Sequence, residues 1–274
     1  MNILDRIFNR IRREINIQLN RFHVWKVKQS FSDGLSSAVT QPVLIFNSST
    51  RLSGLSQNAG FSLITSLALQ KNNIPTHHVY CDQGLRPCVL ETDRNDPKKK
   101  PPCRECTRTS RLILKGSNSH ALLFLEDAKI VAALADLTLV QLLNFKYQGI
   151  NIGELVLPSM RWILRKHHLE DNNTHRVLAH KYIQSAWSVF KQFSDILDDL
   201  NPGVVLVFNG MFYPEAMARL AAHQRNIPVI SHEVGMLPFS TFFTDQEATA
   251  YPVKVDGNFQ LSDEQDARLD KYLE

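Results

Sequence analysis

The stretch Gly203 to Gly235, GVVLVFNGMFYPEAMARLAAHQRNIPVISHEVG, decides the fold. Val204 to Phe208 is an apolar, β-branched run, long enough for one buried strand and too short for a helix. Asn209-Gly210 breaks it. Pro214 stands where a first helical residue is expected, with Glu215 in the first turn, where the helix dipole favours an acid. Ala216, Met217, Leu220 and Ala221 form a small-residue stripe at helical spacing, suited to close packing on a sheet. Asn226 ends the helix, and Pro228 to Ser231 reads as a second buried strand that delivers His232-Glu233-Val234-Gly235. Strand, helix, strand with no tight turn between the strands is a parallel unit with a right-handed crossover.

In such sheets ligands bind beyond the carboxyl ends of the strands. Asn209, Gly210, His232, Glu233 and Gly235 are therefore expected around one rim. The glycines allow close approach to the backbone, and the helix after Asn209 offers unpaired N–H groups. Each feature alone is also what an ordinary turn or strand end looks like; two adjacent ends carrying such residues point to a site.

The same residues carry a resemblance. The pattern FNG…P…A…A…NIPVISHEVG resembles the N-terminal half of bacterial GT-B glycosyltransferases of the capsule and surface-polysaccharide type. Many of these have an arginine after the Asn-Gly. Here the position is Met211, so an anion-binding role for that arginine has no counterpart. The match covers Gly203 to Gly235 only. It implies a Rossmann-like parallel sheet, a nucleotide-sugar donor held mainly by a second domain, and a polysaccharide or glycolipid acceptor on this half. His232 or Glu233 would supply the base, only one of them reaching the cleft because neighbouring strand residues face opposite ways. Asn209 would orient substrate.

Composition bounds the rest. The chain has 274 residues, 43% hydrophobic and 21% charged, as in globular proteins. No apolar run is long enough to span a bilayer, and no signal-peptide pattern opens the chain, so a cytoplasmic location is expected, with the inner face of the membrane within reach. The net charge of +4 is uneven: residues 1–28 hold seven Lys and Arg against two acids, leaving the remainder near −1. There is no zinc-finger spacing and no sustained basic stripe elsewhere, which excludes a nucleic-acid binder of the usual kinds.

Residues 1–35 are read as a basic amphipathic helix and its tail, with Leu4, Phe8, Ile11, Ile15, Leu19 and Phe22 on one stripe. The stripe packs either on the domain or a partner, or on an anionic membrane. Residues 36–260 form the Rossmann-like domain. Pro42 to Phe46 is its first strand, followed by a polar loop in which Arg51 and Gly54 are placed to hold a sugar or phosphate. Neither a dinucleotide fingerprint nor a Walker A pattern is present. Thr76 to Cys81 is the next strand, and Ala121 to Leu125 a third.

All four cysteines lie between 81 and 106. Cys81, Cys88, Cys103 and Cys106 make a C-x6-C-x14-C-x2-C pattern compatible with a structural zinc, less so with an iron–sulfur cluster, and also with reduced thiols. Residues 128–200 read as a helical insertion shaping one wall of an acceptor cleft, with helices over 134–145, 158–168 and 175–200. Ser262 to Gln265 is a capping-box start. The helix it launches over 261–274 stops mid-pattern, and by the resemblance a second Rossmann-like half would follow. Two rival readings remain: a non-catalytic α/β binding or scaffold module, and a nucleotide-sugar epimerase-like enzyme.

Overall fold

The computed structural model describes residues 3–30, 41–48, 56–89, 101, 103–248 and 258–273. In chain order the elements are α1 (Ile3–Gln29), β1 (Val43–Asn47), α2 (Gln57–Lys71), β2 (Thr76–Cys81), α3 (Cys103–Ile113), β3 (Asn118–Leu122), α4 (Ala128–Leu134), α5 (Leu139–Leu143), α6 (Ile152–Leu164), α7 (Asn173–Leu200), β4 (Val204–Phe208), α8 (Tyr213–His223), β5 (Val229–Val234), β6 (Thr241–Thr244) and α9 (Asp263–Leu273). The strands form one sheet in the order β3-β2-β1-β4-β5-β6. β1 to β5 pair in parallel, and β6 pairs antiparallel with β5. This is a Rossmann-like α/β sheet with helices on both faces. Its order reverses between β1 and β4, the place where such sheets hold ligands.

The expected strands β1 and β4 form from apolar runs buried on both faces, while β2 and β5, also expected, carry polar residues such as His78 and Ser231 into buried places. Leu44 and Phe46 of β1 and Val205 and Val207 of β4 share one core with α7 and α8. Alternation sends Ile45 and Leu206, also buried, to the opposite face. Phe193 of α7 meets Phe46 edge-on, ring centroids 5.2 Å apart, and burial of such a ring contributes about 2–3 kcal/mol. The helical segment is thus the crossover from β3 to β4 and supplies much of the core.

Three boundaries differ from the sequence reading. β3 lies three residues earlier than expected, because beyond Leu122 the backbone turns to α7: the Leu123 N–H donates to Gln192 Oε1 (3.0 Å) and the Leu125 N–H to Ser188 Oγ (2.9 Å). Of the helix expected over 134–145 only α5 forms; α4 ends at Leu134, and the chain turns between them at Asp136, whose φ is +59°. Pro158 lies inside α6 and does not start it. The capping-box signal holds, Ser262 and Gln265 exchanging its two bonds, and Asp127 caps α4.

α1 docks on the body by the face the stripe does not use. Val24 is buried with Ala59 and Leu63 of α2 and Ile113 of α3. Glu14 reaches Arg108 (3.4 Å), and Lys28 Nζ donates to the Lys115 carbonyl (2.6 Å), so α1 runs alongside α3 in the same direction. The reading in which the apolar stripe packs on the domain is therefore corrected: the contact is made one half-turn away.

Candidate functional site

β4 and β5 end side by side, and the Asn-Gly turn after β4 takes left-handed backbone, with φ of +60° at Asn209 and +77° at Gly210. The Asn209 N–H donates to the His232 carbonyl at 2.8 Å. Its side chain then spans the two strand ends: Nδ2 donates to Glu233 Oε2 at 2.8 Å, and Oδ1 accepts the Met211 N–H at 3.1 Å. Glu233 Oε1 accepts the Val234 N–H (2.8 Å). The carboxylate, part-buried on the rim, is thus held by both oxygens. Asn209 and Glu233 meet as the βαβ reading expects.

Gly210 is required by space as well as by dihedral. A Cβ there would come within 2.8 Å of both Arg219 Cδ and Ser231 Oγ. Arg219 Nη1 reaches from α8 to the Gly210 carbonyl (3.1 Å) and to Glu247 (2.8 Å), so an arginine does serve the Asn-Gly turn although position 211 is methionine. Gly210→Ala is expected to lower stability by about 2 kcal/mol, combining left-handed strain with overpacking; a urea midpoint equal to wild type would remove this account. Gly235 serves the β5–β6 turn: its N–H donates to the Ser240 carbonyl (2.9 Å), and a Cβ on it would strike Ser240 Oγ.

His232 does not stand on the rim. It is buried between Phe61 and Phe208, ring centroids 4.6 and 5.6 Å away, with Phe243 beyond at 6.5 Å. Burial pushes its pKa down to about 4, leaving a neutral imidazole. Of the His-Glu pair, Glu233 stays part-exposed at the strand end, and alternation turns His232 to the α2 face.

A second group, which the sequence reading did not assemble, lies at the switch between β1 and β4. Asn47 and Ser48 at the end of β1, Ser56 and Asn58 at the start of α2, and Phe212 and Glu215 at the start of α8 line a crevice closed by Leu85, Cys88 and Val89. Its cavity volume is about 40 Å³, room for two or three waters or one hydroxyl-bearing edge of a ligand. Glu215 is buried there and accepts a 2.6 Å bond from Ser48 Oγ. Burial outweighs that bond and pushes its pKa up to about 7, so the carboxyl can carry its proton near neutrality. The wall is fixed by Tyr213, whose hydroxyl donates to the Pro87 carbonyl (2.8 Å) and meets Ser185 Oγ (2.9 Å). Ser185 Oγ in turn accepts the Arg86 N–H (3.0 Å). The Pro-Glu pair at 214–215 was the visible signal for this site, read only as a helix start.

Arg51 and Gly54 lie outside the described residues. The cysteines stand at the carboxyl end of β2 and the start of α3. Cys81 accepts backbone N–H bonds from Gly84 and Leu85, and burial, with Cys106 and Cys103 nearby, pushes its pKa up to about 11. Among the described residues no three His, Cys, Asp or Glu side chains are grouped to hold a metal ion. The zinc expectation therefore draws only on ligand type and number. Metal analysis of the purified protein decides it, one zinc per chain for and none against. Among the described residues no helix is long and apolar enough to cross a membrane.

Comparison of the chain with protein-family models, with curated proteins and with solved structures found no match.

Proposed function

We propose that this domain binds the acceptor in a glycosyltransferase reaction, a sugar passing from a nucleotide-sugar donor to a polysaccharide or glycolipid hydroxyl, with Glu233 as the base. The observation that carries the reading is the 2.8 Å bond from Asn209 to Glu233 across the ends of two adjacent parallel strands. A carboxylate fixed at both oxygens on a rim open to ligand is suited to take the proton of an attacking hydroxyl. The neighbouring crevice suits an uncharged hydroxyl-bearing edge: its polar groups are amides, hydroxyls and a carboxyl that can donate when protonated. The resemblance of Gly203 to Gly235 to GT-B proteins points the same way.

The test is release of nucleoside diphosphate from UDP- and GDP-hexoses in the presence of glycan or polyprenyl-phosphate-linked glycan acceptors. Acceptor-dependent release supports the proposal. Binding of acceptor glycan with no release from any donor favours a non-catalytic binding module, the reading suited to a crevice whose polar groups are all neutral or able to carry a proton.

A further inference from the structure

α1 presents an apolar stripe that the body leaves bare. Leu4, Phe8, Ile11, Ile15, Leu19 and Phe22, joined by Trp25, are each between 49% and 71% exposed. The docked face is the other one, built from Ile17, Asn20, Val24 and Lys28, three or four residues apart and about half a turn from the stripe. The stripe is therefore aimed away from the domain over most of a 27-residue helix. A patch of this size and continuity on one helix needs a cover.

Charge chooses among covers. Arg12 and Lys26, both exposed, border the stripe at helical spacing, and residues 1–28 sum to +5 while the remaining chain sums to −1. A second copy would set the same positive charge against this one, at a cost that grows as the helices close. An anionic lipid surface does the reverse. It takes bulky apolar side chains below the headgroups and leaves basic side chains level with phosphates, the arrangement of a helix lying in the interface. We infer that α1 is an in-plane anchor that binds anionic membranes through its outward stripe and the basic residues beside it. Met236 and Phe239, each 99% exposed in the β5–β6 turn, add a second apolar projection on the carboxyl rim, the side toward which the N-terminal end of α1 extends.

Flotation of the full chain with two vesicle types tests this: phosphatidylcholine alone, and the same lipid with about one-third phosphatidylglycerol. At about 0.1 M salt the bound fraction is expected to be at least about tenfold higher on the anionic vesicles, and to fall steeply by about 0.5 M. Ile11→Asp with Ile15→Asp, and separately Arg12→Glu with Lys26→Glu, should each lower anionic binding at least about tenfold. These side chains are exposed, so circular-dichroism melts should match wild type and exclude misfolding. Equal binding to both vesicles, or binding untouched by the stripe substitutions, overturns the inference. A stable dimer by light scattering that Ile11→Asp with Ile15→Asp dissolves, with no vesicle binding, overturns it in favour of a second copy. No sugar enters the assay, so its result is separate from that for glycosyl transfer.

Discussion

Glu233→Gln is expected to reduce acceptor-dependent turnover about 10²–10⁴-fold while leaving the thermal midpoint near that of wild type. Glutamine keeps one acceptor oxygen for Asn209, gives up the bond from the Val234 N–H, and loses the capacity to take a proton. If positioning were the whole role of the carboxylate, the amide would retain most of the rate. Asn209→Ala, which frees the carboxylate without removing it, should cost less, about tenfold, through lost orientation. Since Asn209 acts through Glu233, the double variant should be no worse than Glu233→Gln alone, the non-additivity expected of residues working as one unit. Near-wild-type turnover of Glu233→Gln, or strictly additive losses, would take the base role from this pair.

Glu215→Gln should change how stability depends on pH. In the unfolded chain Glu215 ionises near the ordinary 4.5 of a glutamate, and in the crevice at about 7. Below about 4.5 it is protonated in both states and costs nothing. Between about 4.5 and 7 only the unfolded chain releases the proton, so folding stability falls as pH rises, levelling off above 7. The shift corresponds to about 3 kcal/mol. Glutamine still accepts from Ser48 and never ionises. The variant should therefore match wild type near pH 4 and exceed it by about 3 kcal/mol near pH 8, read from urea unfolding at both ends. Burial holds His78 and His232 down to about 4, and these act the other way, their contribution being lost as pH falls below about 6.5. They are common to both proteins and cancel in the difference. Parallel stability curves for wild type and variant would mean that Glu215 is ionised in the folded protein at neutral pH.

Much of this could be read from local pattern. The apolar runs at 43–46 and 204–208 are too short for helices and too apolar for one-sided strands, so the parallel core followed from them. Asn209 and Glu233 meet because a βαβ unit leaves its two carboxyl ends together whatever surrounds it. His232 went astray because alternation says that neighbours face apart without saying which face holds Phe61. Glu215 stayed hidden for a reason of range: its partner Ser48 is 167 residues away, and their meeting depends on β1 pairing with β4, which no local spacing encodes. α1 shows the same limit, since its period fixes a stripe but not whether the body takes that stripe or the two apolar residues behind it, Ile17 and Val24.

The parallel course of α1 and α3 sets an attitude. A helix crossing from the end of β2 to the start of β3 runs roughly antiparallel to the strands, and α1 follows it. If bilayer lipid holds α1 flat, the strands lie roughly flat too, and the edge bearing Asn209 and Glu233 looks sideways, raised above the lipid surface by the helix layer between α1 and the sheet. An acceptor tethered to a lipid would then approach by sliding in two dimensions and meet the opening broadside.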